Sequence, residues 1–152
     1  MRVVIGADEA LPVAADVVVR VRELGHDCTL VGPLAGEDYE WAELAGEIGR
    51  RVASGVADWG VVLCWSGTGV SIAANKVPGV RAALCTDAET ARLARHYNHA
   101  NVLALSMRQV SSPVAAEIVT AFAEAPYGTE DFDVRNVAHV TALEAAAPER
   151  ER

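Results

Sequence analysis

Long hydrophobic runs, basic residues and aromatic residues are all scarce in this 152-residue chain. No apolar segment approaches the roughly 20 residues that a membrane-spanning helix needs. The formal net charge is −8, with 21 acidic against 13 basic side chains, which argues against nucleic acid or an anionic membrane as a partner, because phosphate groups are bound by basic surfaces. The first residues read as a strand and have no signal-peptide architecture.

Cysteine is also rare. Cys28, Cys64 and Cys85 are odd in number and lack the spacing of a disulfide framework or a metal site. We therefore expect reduced thiols, a cytoplasmic location and no metal or other cofactor. Apolar residues still make up 51% of the chain, with only 5% aromatics, which is typical of a compact α/β protein whose helices pack through small side chains.

Short apolar runs alternate with amphipathic or Ala-rich segments along the chain. This alternation predicts an α/β fold, a Rossmann-like three-layer sandwich with a five-stranded parallel sheet. The predicted strands cover residues 2–6, 27–31, 60–64, 81–85 and 102–105. The predicted helices cover residues 12–24, 41–54, 70–75, 88–97, 113–124 and 137–146. We expect one domain over residues 1–146, a loop over residues 125–137, and a frayed tail over residues 147–152.

The most informative segment is CWSGTGVSIAANK, residues 64–76, which follows a buried strand. It places a thiol, Cys64, at the end of that strand, beside a turn rich in glycine and hydroxyl groups. Successive backbone N–H groups in such a turn form a nest that stabilises an oxyanion. The pattern is neither a dinucleotide fingerprint, because it follows the third strand, nor a Walker A loop, because Lys76 lacks the Gly-Lys-Ser/Thr context.

Each of these features also has a simpler interpretation. A glycine-rich turn on its own is often only a tight strand-to-helix connection, and a free cysteine is often a plain core residue. Asp8 and Glu9 at the end of the first strand could cap the helix that follows. Cys85 also ends a strand, but no glycine-rich turn follows it, and we interpret it as structural.

The segment 64–76 closely resembles the signature of type B ribose-5-phosphate isomerases and the related galactose-6-phosphate isomerases. The opening IGAD, residues 5–8, resembles the first motif of this family, and HYNHANVL, residues 96–103, resembles its His-Asn-x-x-Asn-Val-Leu segment. The strand GVRAALC, residues 79–85, is similar almost letter for letter. The resemblance extends over roughly residues 1–145.

The resemblance implies a cofactor-free aldose–ketose isomerase acting through a cis-enediolate. Cys64 would be the base at the carbon acid, because the family's alternative base, a Glu, is replaced here by Val70. Ser66 would bind the carbonyl oxygen, and Asp8 would relay protons between hydroxyls. The turn Gly67, Thr68 and Gly69 would hold the enediolate.

Four departures from the family pattern suggest a changed substrate. Glu9 replaces a phosphate-binding His, Tyr97 replaces the His associated with ring opening, and Trp65 replaces a small residue. Near the C-terminus, Asp131 and Phe132 replace an Arg-His pair and only Arg135 remains. We therefore expect a small sugar or sugar derivative, with standard phosphate recognition altered or lost.

The resemblance also implies a homodimer, or a dimer of dimers, with shared active sites. One subunit would supply Tyr97, Asn98 and Arg135, and its partner would supply Cys64 and Asp8. His96 and His99 are predicted to be surface histidines. The alternative function is that of a non-catalytic paralogue or partner subunit of a sugar-phosphate isomerase, since the four departures fit loss of activity as well as a new substrate.

Overall fold

The computed structural model describes residues 1–145, so the predicted tail and residue 146 lie outside the described part. One sheet of five strands forms the centre, and all of its neighbouring strands are parallel. Its order is β2-β1-β3-β5-β4, with β1 Arg2–Ala7, β2 Asp27–Val31, β3 Trp59–Cys64, β4 Ala82–Leu84 and β5 Val102–Ser106. The helices are α1 Pro12–Glu23, α2 Trp41–Ala53, α3 Thr68–Ala74, α4 Ala88–Asn98, α5 Ser112–Glu124 and α6 Asp131–Ala145, with a short 3₁₀ turn at Gly32–Ala35.

Helices cover both faces of this sheet, which confirms the predicted Rossmann-like three-layer architecture. α1, α4 and α5 enclose one core, in which Trp59 packs against Phe122. α2 and α3 enclose the other, which contains Leu44 and Ile48. The central strand β3 is buried along its whole length, as expected for a parallel strand covered on both sides.

The predicted boundaries of all five strands lie within one residue of those observed. The first five α-helices agree to within two residues at each end. Gly25 and Gly55 follow the ends of α1 and α2 and adopt φ angles of 81° and 76°. Positive φ is a conformation that glycine reaches at low cost, so these two residues end their helices.

The last helix differs from its prediction. The sequence indicated a loop over residues 125–137 and a helix from residue 137, whereas α6 begins at Asp131. Its first turn contains Asp131 and Asp133, whose negative charges stabilise a helix N-terminus. Acidic residues are common in loops, but they are also favoured at the start of a helix, as here.

The outer edge of β4 is covered by a side chain instead of a strand. The amide of Asn75 donates to the carbonyl of Ala82 at 2.8 Å and accepts from the Ala82 N–H at 2.8 Å. α6 reaches the same region, where a Glu144 carboxylate oxygen accepts a hydrogen bond from the backbone N–H of Gly79 at 2.9 Å. These contacts satisfy backbone groups that an edge strand would otherwise leave unpaired.

Candidate active site

The strand order reverses between β1 and β3, and the residues after these two strands lie side by side. Ala7 pairs with Leu63 in the sheet, and the backbone N–H of Asp8 donates to the Leu63 carbonyl at 3.2 Å. Asp8 and Cys64 are therefore neighbours across one crevice. In open parallel sheets this reversal, at the carboxyl ends of the strands, is where ligands bind.

The Cys64 thiol is held at the entrance of the glycine-rich turn. Its side chain is 5% exposed, and its Sγ accepts a hydrogen bond from the backbone N–H of Gly67 at 3.1 Å. The sulfur is thus the acceptor in this contact. One backbone N–H of the turn therefore contacts the thiol.

Only glycine fits at position 67. Its φ angle is 75°, and a Cβ built there would lie 2.6 Å from Leu84 Cδ1 and 2.9 Å from the backbone of Leu105 and Ser106. The positive φ turns the chain from β3 into α3, and the missing side chain lets the turn lie directly on β5. The sequence therefore forms this turn for a steric reason that is local to the site.

Hydroxyl groups line the exposed side of the turn. Ser66 Oγ lies 2.8 Å from Thr68 Oγ1, at hydrogen-bond distance, and both residues are exposed. Between them and Cys64, Trp65 projects outward with 57% of its surface exposed. Its carbonyl accepts a hydrogen bond from Ser106 Oγ at 2.9 Å, which fixes the turn to the end of β5.

Ser106 is a residue of this site that the sequence reasoning did not assign. It is 1% exposed and pairs with Cys64 across β3 and β5. A polar residue directly after a run of buried apolar residues in a central strand is the signal that could have identified it.

Asp8 has one oxygen without a partner. Among the described residues, its Oδ1 is buried and accepts no hydrogen bond. Burial, followed by the nearby charge of Glu9, raises the pKa of the Asp8 carboxyl above its ordinary value. The alternative that Asp8 or Glu9 caps the next helix is wrong, because α1 is preceded by Leu11 and has no side-chain cap.

Tyr97 and Asn98 lie at the end of the sheet where the strands begin, opposite the end that carries Asp8 and Cys64. They end α4, which runs back from the carboxyl end of β4 to the amino end of β5. At that end of the sheet, the backbone N–H of Gly60 donates a hydrogen bond to the carbonyl of Asn101. At about 3.3 Å per residue, the length of β5 alone separates them from Cys64 by more than about 10 Å. Within one chain the structure therefore does not bring Tyr97 and Asn98 to the thiol.

A surface cavity of about 580 Å³ lies beside Tyr97 and Asn98. Apolar side chains of α6 line it, and Phe132 among them is 67% exposed. The residues of α4 and α6 around it are Tyr97, Asn98, Phe132, Asn136, Val137 and Val140.

The predicted charged residues lie on exposed surface. Glu9 follows Asp8 directly and is exposed. Arg135 projects from α6, with its Nη1 4.0 Å from an Asp131 carboxylate oxygen. Asp131 is 97% exposed at the side chain, and exposed pairs of this kind contribute little to stability.

His96 and His99, which were predicted to be surface histidines, keep part of their side chains exposed, 36% in the case of His96. Both are half-buried and hold the segment before α6: the backbone N–H of Gly128 donates to the His96 carbonyl at 2.8 Å, and His99 Nε2 lies 2.8 Å from the Gly128 carbonyl. The His99 ring also stacks on Tyr127 at 4.6 Å.

Arg95 completes this contact. It is 7% exposed, and its guanidinium lies over the Tyr127 ring and donates to the Tyr127 hydroxyl at 2.7 Å. These side chains fix the end of α4, and hence Tyr97 and Asn98. No periodic pattern in the sequence indicates this cluster, because its members come from two separate segments.

Two negative observations apply to residues 1–145. No helix there is long and apolar enough to cross a bilayer. The same residues contain no group of three or more His, Cys, Asp or Glu side chains arranged to hold a metal ion.

Comparison with known proteins identifies the family. A family model described as Ribose/Galactose Isomerase matches residues 3–140. The chain belongs to this family. Among its curated relatives is ribose-5-phosphate isomerase B of Escherichia coli, which is 35% identical over 129 residues, covering 85% of this chain and 86% of that protein.

Two further relatives support the membership. Galactose-6-phosphate isomerase subunit LacB of Clostridium acetobutylicum is 49% identical over 78 residues, covering 51% of this chain and 45% of that protein. The structure of the type B ribose 5-phosphate isomerase of Trypanosoma brucei superposes with a TM-score of 0.88 at 41% identity, covering 93% of this chain and 97% of that one. The ribose/galactose isomerase family thus includes proteins named for both substrates.

Proposed function

We propose that the chain is a cofactor-free aldose–ketose isomerase that acts through a cis-enediolate on a small sugar or sugar derivative, with phosphate recognition altered relative to its relatives. The proposal rests on the two side chains, Cys64 and Asp8, that lie together where the strand order of the sheet reverses between β1 and β3. There, a thiol held against a backbone N–H faces the same crevice as a carboxylate with a buried, unpartnered oxygen. Membership of a family of sugar-phosphate isomerases supplies the reaction class.

The first half of the reaction uses the Cys64 turn. The Cys64 thiolate removes a proton from the carbon next to the substrate carbonyl, and the electron pair moves onto the carbonyl oxygen to give the cis-enediolate. Ser66 Oγ–H and the backbone N–H groups of Thr68 and Gly69 hydrogen-bond that oxygen, while the Gly67 N–H stays on the Cys64 sulfur. Preorganised donors of this kind stabilise charge as it develops, which is often the largest contribution to catalysis.

The second half returns the proton to the neighbouring carbon. The Cys64 thiol donates the same proton to the other enediolate carbon, so that no redox partner or cofactor is consumed. Asp8 moves a proton between the two oxygens of the enediol. Its raised pKa suits this role, because a group that both accepts and donates protons works best when its pKa approaches the working pH.

We further propose that the site is completed by a second copy of the chain. Tyr97 and Asn98 lie at the far edge of the sheet from Cys64, so they can contribute only to the site of another subunit. The exposed apolar side chains of α6 that line the same cavity, Phe132 and Val140, support an interface there. In a two-fold dimer, Tyr97 and Asn98 of each subunit would face the Cys64 thiol of the other subunit.

The proposed change in phosphate recognition rests on charge. Glu9 lies next to Asp8, and Asp131 lies beside Arg135, the one cation that the family pattern retains. At an effective dielectric constant of 20, two like unit charges 4 Å apart repel by about 4 kcal/mol. Carboxylates at these positions would accept hydrogen bonds from sugar hydroxyls and repel a phosphate dianion.

Proton NMR in deuterated buffer tests the proposal. The wild type would be incubated with aldoses and ketoses of three to six carbons, each with and without phosphate, and deuterium incorporation at carbon would be followed. We expect exchange with at least one unphosphorylated sugar that is lost in Cys64→Ala and retained in Cys85→Ala. Tight, saturable turnover of ribose 5-phosphate would contradict the phosphate part of the proposal.

The alternative, a non-catalytic paralogue or partner subunit, makes the opposite prediction. The replacements at Glu9, Tyr97, Asp131 and Phe132 favour it, since all four change groups that the family uses on substrate. A folded protein that exchanges no carbon-bound proton in any sugar of the panel would support this alternative and exclude the isomerase.

A further inference from the structure

A tryptophan outside the predicted site lies against the glycine-rich turn. Trp41 begins α2, and a Cβ built on Gly69 would lie 3.0 to 3.4 Å from three atoms of its indole ring. The ring therefore rests on the Gly69 backbone. Gly67, which contacts the Cys64 sulfur, is only two residues away, so its Cα lies within about 8 Å of the Gly69 Cα.

The position of Trp41 is fixed by two other glycines. Cβ atoms built on Gly6 and Gly32 would each lie 2.8 Å from Leu44 Cδ1, so their absence lets the first turns of α2 lie close against the end of β1. The connection before α2 is also held, because Glu37 accepts a hydrogen bond from the Gly32 N–H at 3.1 Å. Trp41 is thereby placed at the carboxyl ends of the strands, where Asp8 and Cys64 also lie.

Within residues 1–145, the Trp41 side chain is only partly covered. The residue is 47% exposed, whereas Trp59 in the core is fully buried. An aromatic face carries partial negative charge and attracts the C–H hydrogens of an apolar surface. All the charged residues of the segment 32–46 are acidic (Glu37, Asp38, Glu40 and Glu43), and each of them is exposed.

We propose that Trp41 is a specificity-determining residue of the Cys64 site, where its indole face packs on the carbon chain of a sugar whose distal end is uncharged. The inference rests on the proposed function and adds to it the class of substrate. The aromatic face contributes affinity through C–H contacts, and the negative charge of the segment that carries Trp41 disfavours a phosphate. Trp65, 57% exposed within the turn, provides a second aromatic surface beside the thiol.

D-Ribulose and D-ribulose 5-phosphate are suitable probes, because they differ only by the phosphate. Their isomerisation would be measured in the wild type, Trp41→Phe, Trp41→Leu and the control Val19→Ala, which removes exposed apolar surface from α1 on the other face of the sheet. Circular dichroism and urea unfolding would verify that each variant is folded.

We expect Trp41→Leu to raise the KM for D-ribulose about three- to tenfold, with kcat nearly unchanged. An increase of this size corresponds to the loss of one aromatic contact. Trp41→Phe should lie between Trp41→Leu and the wild type, and the KM for D-ribulose 5-phosphate should change little. A structural role alone would lower stability without this split between KM and kcat. An active, folded Trp41→Leu enzyme with an unchanged KM for D-ribulose would overturn the inference.

A binding measurement separates this inference from the proposed function. D-Ribulose would be titrated into Cys64→Ala combined with Trp65→Phe, and into the same protein with Trp41→Phe added, so that Trp65 does not contribute to the tryptophan fluorescence that is recorded. A saturable change that disappears in the second protein supports contact with Trp41, even if the wild type shows no turnover and the isomerase proposal fails. Identical titrations in both proteins, or no change in either, would contradict the inference.

Discussion

Cys64 and Gly67 are joined by a single hydrogen bond, from the backbone N–H of Gly67 to the Cys64 sulfur at 3.1 Å. The bond links the end of β3 to the turn that leads into α3. It exists because position 67 has both a positive φ and no side chain. The proposed base and the proposed oxyanion donors therefore depend on one backbone conformation.

Replacing Cys64 tests the base directly. Cys64→Ala should lower the rate of carbon-bound proton exchange about 10²- to 10⁴-fold, the usual contribution of a positioned base. Cys85→Ala is the matched control, because Cys85 also follows a strand and is buried, but burial raises its pKa to about 12. If Cys85→Ala lost as much exchange as Cys64→Ala, the assignment of the base would be wrong.

Gly67 should be far less tolerant than another glycine of the same conformation. Gly36 has the same φ of 75°, but a Cβ built there meets nothing within 4 Å. Gly36→Ala should therefore lower the free energy of unfolding, measured in urea, by only about 1–2 kcal/mol, which is the cost of a left-handed backbone for alanine. Gly67→Ala adds a backbone clash and should cost about 3 kcal/mol or more, with activity lost. Equal losses in the two variants would mean that the contact with β5 is unimportant.

Asp8 should make the protein less stable as pH rises. Its folded-state pKa is raised, so its favourable contribution is complete below the ordinary carboxyl pKa and is lost as pH increases through the raised value. Asp8→Asn should thus unfold at a higher urea concentration than the wild type near pH 8. The difference should shrink as the pH is lowered through the raised pKa of Asp8, and it should be smallest below the ordinary carboxyl value of about 4.

Glu9 provides the control for this pH effect. Its charge is the second cause of the raised Asp8 pKa, after burial. Glu9→Gln should therefore lower the Asp8 pKa part of the way to its ordinary value, which a carbon-13 NMR titration of the Asp8 carboxyl would measure. The prediction fails if the Asp8 titration is the same in both proteins.

Mixing two inactive variants tests the shared site. Cys64→Ala and Asn98→Ala should each be inactive as pure dimers, whereas a mixed dimer would have one site with both residues intact. Random re-pairing after refolding together should restore roughly a quarter of the wild-type activity. Restoration would be absent if each chain formed its own complete site, and gel filtration of both variants would verify that they remain dimers.

The sequence predicted the elements whose signals are local. The strands, the first five helices and the Cys64 turn follow from contiguous patterns of burial, glycine and proline, and each of them is present. α6 was misplaced because Asp131 and Asp133 favour a loop by composition and a helix by position. The turn itself was predictable because Cys64, Ser66 and the two glycines lie within six residues of one another.

Contacts between distant segments were not predictable in the same way. Nothing near Trp41 in sequence indicates that its ring rests on Gly69, since the contact depends on how α2 packs beside α3. The cluster of Arg95, Tyr127 and His99 likewise joins residues about thirty positions apart, through a cation–π contact and ring stacking that leave no periodic pattern.

The amide of Asn75 has a consequence for the ageing of the protein. It covers Ala82 at the edge of β4 by donating one hydrogen bond and accepting another. Hydrolysis of that amide to a carboxylate would remove the donor and place a negative charge against the Ala82 carbonyl. A single chemical lesion would then expose a free strand edge, and edges of that kind recruit further strands and lead to aggregation.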